Sequence, residues 1–155
     1  MFKELDIDNP LLSWEYHNII EKLDNVIFNS GAKEDLKKHN MDKHIAHWKP
    51  DFFSKYTKFY DKINNLVFKY KYLGIRELDI TRFKPGGGLC WHSDKTDFAL
   101  LLPITPTTRV TIEYDNGKTY TRTNKPVIID TITKHRTIPS DRLITTFRIG
   151  ITTCM

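Results

Sequence analysis

Two histidines and one aspartate have the residue types and the spacing of a metal site. His92 and Asp94 are separated by a single residue, and His135 follows much later in the chain. On an extended strand, residues two apart project from the same face, so His92 and Asp94 can reach one ion. Two imidazoles and one carboxylate leave open positions for a co-substrate and dioxygen on the metal, as in non-haem Fe(II) oxygenases. The three residues therefore predict an iron site in which all three are metal ligands and catalytic residues.

Other interpretations of these histidines stay open, because such triplets also arise by chance. A histidine at the position of His135 can be a strand-end or packing residue that binds nothing. His44 and His47 form His-x-x-His in a stretch with a polar, helical pattern. That spacing can bind zinc, but no pair of cysteines or histidines follows at a usual distance. We interpret His44 and His47 as surface residues.

The last predicted strand carries two arginines that can hold a carboxylate. Arg142 and Arg148 stand at its two ends, and an arginine can clamp a carboxylate of a dicarboxylate co-substrate with two parallel hydrogen bonds. If residues 140–141 are the centre of a tight turn, Thr146 lies opposite His135 and shares its face with both arginines. A loop one residue longer turns the arginines outward, onto a basic surface. We expect the inward register, with Arg142, Arg148 and Thr146 facing the site.

The first half of the chain has helical patterns. Residues 11–27 carry an apolar stripe after the helix-start signal Asn9-Pro10, and a second helix is predicted to start near Pro50-Asp51. The apolar face of this second helix consists of Phe52, Tyr56, Phe59, Ile63 and Leu66. We interpret that face as packing against a sheet. A base-stacking platform is the alternative, and it requires exposed rings.

After Gly74 the pattern changes to short runs rich in β-branched residues between turn signals. The predicted strands are residues 75–84, 89–92, 98–104, 109–114, 118–122, 127–132 and 143–152. Asp115–Gly117 is a hairpin signal between two of them. Many short strands at this spacing indicate a sandwich or barrel. We predict one α+β domain, residues 1–155, with a double-stranded β-helix (jelly-roll, cupin-like) core in residues 75–155 and N-terminal supporting helices in residues 1–74.

The composition restricts the functional classes. The chain has 155 residues and a formal net charge of +5 without a long basic run, which only mildly favours a polyanionic partner. It has no apolar run long enough to span a membrane, and its polar, acidic start is unlike a signal peptide. Two cysteines, Cys90 and Cys154, make no disulfide framework, so we expect a cytoplasmic protein. Cys90 has the strand parity of His92; its thiol either faces the metal or, as we favour, is simply buried.

Three motifs in order resemble those of the AlkB-like Fe(II)/2-oxoglutarate-dependent dioxygenases. Residues 81–95 contain Pro-Gly and then His-x-Asp, the last formed by His92 and Asp94. A distal histidine, His135, follows, and then Arg-x5-Arg in residues 142–148, which ends in Thr-Phe-Arg. The resemblance covers about half of the chain. It implies a jelly-roll oxidoreductase that uses Fe(II), 2-oxoglutarate and dioxygen.

The same resemblance implies roles for individual residues. The two histidines and the aspartate already named are the iron ligands. Arg142 would clamp the distal carboxylate of 2-oxoglutarate, and Arg148 would support the end near the metal. Thr81 and Phe83 stand where the family often has an Asn and a Tyr that hydrogen-bond the co-substrate.

The family chemistry leaves the substrate open. The enzyme would hydroxylate or oxidatively demethylate its substrate with release of succinate and CO2. The Arg-x5-Arg motif and the basic charge favour nucleic acid, as for AlkB-like enzymes. The short chain, without a recognisable base-gripping region, favours hydroxylation of a prolyl or aspartyl side chain or of a small molecule. A non-catalytic jelly-roll binding module is a third hypothesis, favoured by Phe83 and Ile144 where the family has polar residues.

Overall fold

The structure is a computed structural model that describes residues 2–22, 37–47, 62, 65, 73–106 and 109–153. Most of these residues belong to short strands. In chain order the elements are β1 (Phe2–Glu4), α1 (Trp14–Glu21), β2 (Met41–His47), β3 (Leu73–Phe83), β4 (Phe98–Pro103), β5 (Val110–Tyr114), β6 (Thr119–Arg122), β7 (Val127–Asp130), β8 (His135–Thr137) and β9 (Ile144–Thr153).

The strands form two antiparallel sheets. The larger sheet has the order β1-β7-β4-β9-β3-β2, and the smaller has the order β6-β5-β8. Strands β4 and β7 of the larger sheet and β5 of the smaller one contribute side chains to a single apolar cluster, so the sheets pack face to face. This arrangement confirms the predicted α+β fold with a double-stranded β-helix core.

The core lies between the two sheets. Along β5, the residues Val110, Ile112 and Tyr114 are buried and those between them are half-buried, as expected for a strand with one face in the core. In β4, every residue after Phe98 is buried. The shared cluster consists of Ala99, Leu101, Ile112, Tyr114, Val127 and Ile129. The alternation along β5 and its neighbours decides which side chains reach the cavity between the sheets.

Helix α1 begins later than its apolar stripe predicts. The Asn9 side chain accepts a hydrogen bond from the Leu11 amide at 3.0 Å and donates to the Pro103 carbonyl at 2.7 Å, which makes a turn there. The helix is capped instead by Ser13, whose hydroxyl accepts from the Tyr16 amide at 3.3 Å. Predicted residues of this helix beyond residue 22 lie outside the described part of the chain.

Two predictions about strands are wrong. Residues 89–92 do not form a strand, and His92 makes only an isolated bridge to His135. The hairpin between β8 and β9 does not form either. Strand β8 pairs with β5, whereas β9 pairs with β3 and β4 in the other sheet. Pro139 lies in the connection between β8 and β9, and without an N–H it could not donate in the expected ladder.

The first half of the chain is not purely helical support. Strand β1 pairs with β7, and β2 pairs with β3, at the two edges of the larger sheet. His44 and His47 therefore lie on a strand and not in a helix. The apolar face predicted for the second helix lies outside the described residues. Within the described residues, no helix is long and apolar enough to cross a membrane.

Candidate metal centre and adjoining cavity

The two predicted histidine ligands are paired through their backbones. The amide of His92 donates to the carbonyl of His135, and the amide of His135 donates back, each at 2.9 Å. Their rings lie 4.4 Å apart between centroids. Asp94 completes the group, and one ligand atom from each of the three side chains lies within 4.8 Å of the others. The structure therefore brings His92, Asp94 and His135 together, as the spacing predicts.

Backbone carbonyls orient both imidazole rings. Nδ1 of His92 donates to the carbonyl of Cys90 at 2.6 Å, and Nδ1 of His135 donates to the carbonyl of Thr133 at 2.7 Å. A ring that carries its proton on Nδ1 has its lone pair on Nε2. Both Nε2 atoms are therefore prepared to bind a metal, and hydrogen bonds of this kind hold the rings of metal-binding histidines in position.

A turn at the end of β7 supports the second histidine. The carboxylate of Asp130 accepts from the amides of Ile132 and Thr133 at 2.9 and 3.1 Å, which closes a tight loop. This loop presents the Thr133 carbonyl to His135. The hydroxyl of Tyr114 donates to the Asp130 carbonyl at 2.9 Å, and its ring lies 5.7 Å from that of His135. The position of His135 is thus fixed by local geometry.

Arg148 positions the carboxylate of Asp94. Its Nη2 donates to Oδ2 of Asp94 at 2.8 Å and to Oγ1 of Thr96 at 3.2 Å, while Nη1 lies 3.2 Å from Oδ2 of Asp79. The other carboxylate oxygen, Oδ1, faces Nε2 of His92 at 3.4 Å. Oδ1 is therefore the oxygen that Asp94 can offer to a metal.

The electrostatics favour the metal-binding protonation states of Asp94 and His135. Burial acts to raise the pKa of Asp94, but the hydrogen bond with His92 and the charge of Arg148 outweigh it and lower the pKa to about 2. Burial lowers the pKa of His135, which favours its neutral form. For His92 burial acts in the same direction, but the hydrogen bonds to Asp94 and to the Cys90 carbonyl raise its pKa overall.

These side chains fit a divalent metal that prefers nitrogen and oxygen ligands. One nitrogen from each imidazole and one carboxylate oxygen lie close enough together to bind one ion. The donor set matches that of non-haem Fe(II) sites, with positions remaining for other ligands. Another divalent ion with the same preferences, such as Mn²⁺ or Zn²⁺, would find the same donors.

A cavity of about 580 Å³ adjoins the candidate centre. Its wall contains four of the five residues predicted to bind the co-substrate: Thr81, Phe83, Thr146 and Arg148. The fifth, Arg142, does not line it. Arg142 is exposed in the loop before β9, where its amide donates to the hydroxyl of Ser140 at 3.2 Å. The structure thus separates the two arginines that the sequence pattern places together.

The glycine-rich loop that leads to His92 runs close to the backbone of residues 137–139. A Cβ on Gly88 would lie 2.5 Å from the Thr137 carbonyl oxygen and 3.0 Å from the nitrogen of Pro139. Only glycine allows this approach. The approach is reinforced by the Thr137 amide, which donates to the Leu89 carbonyl at 3.0 Å. Cys90 is exposed, contrary to the expectation that its side chain is buried.

Comparison with known proteins yields similarity at the level of fold. No protein-family model matches the chain, and no curated protein matches it. Among solved structures, a prolyl hydroxylase from Trichoplax adhaerens, in complex with a hypoxia inducible factor oxygen degradation domain peptide fragment, superposes with a TM-score of 0.64. It is 12% identical, over 98% of this chain and 83% of that chain.

Two further prolyl hydroxylases are similar over nearly the whole chain. The viral collagen prolyl hydroxylase of Paramecium Bursaria Chlorella virus-1, as its 2OG complex, has a TM-score of 0.60 and 12% identity over 99% of this chain and 96% of that chain. The Pseudomonas putida prolyl-4-hydroxylase has a TM-score of 0.51 and 10% identity over 99% and 93%. At these identities the similarity establishes the fold. It does not establish the AlkB-like subfamily that the motifs resemble.

The cavity wall also contains an arginine that lies outside the motifs of the sequence. Arg122, at the end of β6, is buried, and its Nη2 donates to Oγ1 of Thr146 at 3.1 Å. The sequence nevertheless contains a pattern from which the orientation of Arg122 can be predicted. The hairpin at Asp115–Gly117 sets Arg122 opposite Val110, on the apolar side of β5. Extending that register along the hairpin therefore predicts an inward-facing arginine.

Proposed function

We propose that this protein is an Fe(II)- and 2-oxoglutarate-dependent dioxygenase. The observation that carries the proposal is the convergence of His92, Asp94 and His135 beside a cavity whose wall holds arginines. A binding module would not require two histidines and an aspartate whose ligand atoms lie within 4.8 Å of one another. Polar residues of the wall, among them Thr81 and Thr146, are available to the co-substrate.

Each of these residues has a distinct task in the proposed reaction. His92, Asp94 and His135 would hold the metal, and Arg148 keeps Asp94 ionised and oriented. Fe(II) bound there, with 2-oxoglutarate and dioxygen, would supply the oxidising chemistry that hydroxylates a substrate C–H bond, with release of succinate and CO2. Part of the cavity wall is apolar, with Leu101, Val110 and Ile129 among its residues.

The substrate class that we propose is a protein side chain, with proline as the first candidate. The solved structures described above are prolyl hydroxylases, and one of them holds a peptide. The rim of the cavity offers an exposed aromatic ring, Trp91, with the Arg136 guanidinium 5.0 Å from its centre. Such a ring can pack against a prolyl ring of an extended peptide. Nucleic acid, which the AlkB-like motifs favour, is the competing outcome of the test.

Succinate production tests the proposed activity. The purified chain with Fe(II), 2-oxoglutarate and dioxygen should form succinate, and Asp94→Asn should remove most of this activity. Asp115→Asn, in an exposed turn, is the matched control and should behave like the wild type. If no succinate forms with metal, or if Asp94→Asn is as active as the wild type, the proposal is wrong.

A comparison of substrates tests the proposed class. Succinate formation should rise when a proline-rich peptide is added, and mass spectrometry should then show a gain of one oxygen atom on the peptide. A methylated single-stranded oligonucleotide is the comparison. If the oligonucleotide stimulates turnover and the peptide does not, the nucleic-acid alternative replaces the prolyl one.

A further inference from the structure

Within the described part of the chain, one cation of the cavity wall has no partner for most of its donors. The Arg122 side chain is 4% exposed. Its Nη2 has the hydroxyl of Thr146 as partner, but its Nε and Nη1 have no hydrogen-bond partner among the described residues. Burial lowers its pKa to about 10, which still leaves the guanidinium charged at neutral pH. Because a buried charge without a counter-ion costs free energy, this arginine is suited to receive an anion.

The carboxylates of the cavity wall do not serve that purpose. Among the described residues that line the cavity, the acidic side chains are those of Asp79 and Asp94. Both contact Arg148, with nitrogen–oxygen distances of 3.2 and 2.8 Å. Arg148 is therefore committed to carboxylates of the protein, whereas Arg122 keeps donors for a carboxylate from outside.

The position of Arg122 relative to the metal centre follows from strand β9. Thr146 and Arg148 are two residues apart on this strand and both line the cavity. Two residues of a strand span roughly 7 Å. Arg148 contacts Asp94 at one end of this span, and Arg122 contacts Thr146 at the other. A five-carbon dicarboxylate can bridge such a distance, with its oxo-acid end at the metal and its distal carboxylate at Arg122.

On the basis of the proposed function, we propose that Arg122 binds the distal carboxylate of 2-oxoglutarate, in place of Arg142. Its Nε and Nη1 donate to the carboxylate, and Thr146 holds the third nitrogen, Nη2, in place. Apolar side chains such as those of Leu101 and Val110 surround the carbon chain between the two charged ends. The cavity should consequently select 2-oxo dicarboxylates over 2-oxo monocarboxylates of similar shape.

Binding without turnover tests this assignment. The full chain loaded with Mn²⁺ is titrated by calorimetry, without oxygen, with 2-oxoglutarate and with 2-oxobutanoate, which lacks the distal carboxylate. A hydrogen-bonded charge pair of this kind corresponds to a loss of roughly 10- to 100-fold in affinity when it is removed. Arg122→Met should show that loss for 2-oxoglutarate, and its affinity for 2-oxobutanoate should not change. Arg122→Lys should recover part of the affinity.

Control variants separate this role from a structural one. Arg109→Met removes an exposed arginine and should bind as the wild type does. Arg142→Met tests the competing assignment. The melting temperature of ligand-free Arg122→Met should equal or exceed that of the wild type, because an uncompensated buried charge is removed. A lower melting temperature with unchanged 2-oxoglutarate affinity would indicate a structural arginine and overturn the assignment.

The calorimetric result also distinguishes the assignment of Arg122 from the proposed dioxygenase function. If the wild type binds 2-oxoglutarate and Arg122→Met binds it equally well, the assignment fails and the proposed function stands. Loss of affinity in Arg142→Met, with none in Arg122→Met, has the same meaning. If the Mn²⁺-loaded wild type binds neither 2-oxo acid, the proposed function fails, and the assignment fails with it.

Discussion

His92 and His135 exchange two backbone hydrogen bonds of 2.9 Å, although they lie in different segments and only one of them belongs to a named strand. Each imidazole is held in addition by a carbonyl two residues before it in the chain. Neither set of bonds requires a metal ion. The candidate centre is therefore built by the fold, and ion binding should add to stability without creating the structure.

We expect metal to raise the melting temperature through this centre. A ligand at a hundred times its dissociation constant stabilises the folded state by about 2.7 kcal/mol. Mn²⁺ should accordingly raise the melting temperature of the wild type by several degrees, and chelator should reverse the change without unfolding the protein. His135→Ala should lose the shift, and Lys134→Ala, at an exposed neighbouring position, should retain it. An equal shift in both variants would show that the ion binds elsewhere.

The bridge that Arg148 makes between Asp79 and Asp94 predicts a coupled loss of stability. Arg148→Met should lower the free energy of unfolding of the metal-free protein by about 3 kcal/mol, because it removes a cation that contacts two largely buried carboxylates. The double variant with Asp79→Asn should lose less than the sum of the single losses, as measured by urea unfolding. Arg136→Met is the comparison.

Arg136 is more exposed than Arg148, so its replacement should lower the free energy of unfolding by less. Arg136 pairs with Glu113 at 2.6 Å, and such partly exposed pairs contribute about 1 kcal/mol or less. Strictly additive losses for Asp79→Asn and Arg148→Met would show that these two side chains do not act as a unit.

The close approach at Gly88 predicts a local effect on the metal centre. A Cβ there meets backbone atoms of Thr137 and Pro139, so Gly88→Ala should displace the loop that carries His92. We expect a lower melting temperature and weaker Mn²⁺ binding by calorimetry. Gly117→Asn is the control, because a Cβ at Gly117 meets no atom within 4 Å and asparagine tolerates its φ of +86°. Unchanged Mn²⁺ affinity in Gly88→Ala would contradict this account.

A buried histidine outside the candidate centre predicts a pH dependence of stability. Burial and the charge of Arg82 lower the pKa of His17 in the folded state, against the opposing effects of Glu21 and Asp42. Its Nδ1 lies 2.9 Å from Oγ1 of Thr145. The unfolded chain binds its proton near pH 6.5, whereas the folded chain binds it only at lower pH. The contribution of His17 to the free energy of unfolding is therefore fully present above about pH 6.5, and it is lost as the pH falls below that value.

The variant His17→Gln should flatten that dependence. Urea midpoints measured between pH 7 and pH 5, with chelator present, should fall less steeply for His17→Gln than for the wild type. The other titratable groups, including His92 and His135, are present in both proteins, so the difference in slope reports on His17. Parallel curves would show that His17 does not contribute.

The local patterns of the sequence predict much of the β core and the three residues of the candidate centre. Alternation along β5 and the continuous apolar run of β4 carry enough information to place both strands within one or two residues. His92, Asp94 and His135 are found because their chemistry is distinctive. The roles proposed for these residues stay predictions.

What the sequence does not predict depends on contacts between distant segments. The expected hairpin of β8 and β9 assumes that neighbours in the chain pair, but β8 pairs with β5 in the other sheet. That error turns Arg142 toward the site when it is in fact exposed. The motifs do not point to Arg122, since its register follows from a different hairpin. Strand β2 is not predicted, because its polar sequence has little β character.

The acceptors that orient His92 and His135 belong to the main chain, at Cys90 and Thr133. Point mutations exchange side chains and leave carbonyl groups in place. This part of the site is therefore protected against mutational drift, in contrast to sites where an aspartate or glutamate orients each imidazole. Residue 90 should tolerate many different amino acids during evolution, provided that the backbone path is kept, whereas Thr133 also donates its hydroxyl to the Asp130 carboxylate. Natural variation in this protein should accumulate beside its histidines without changing how they face the ion.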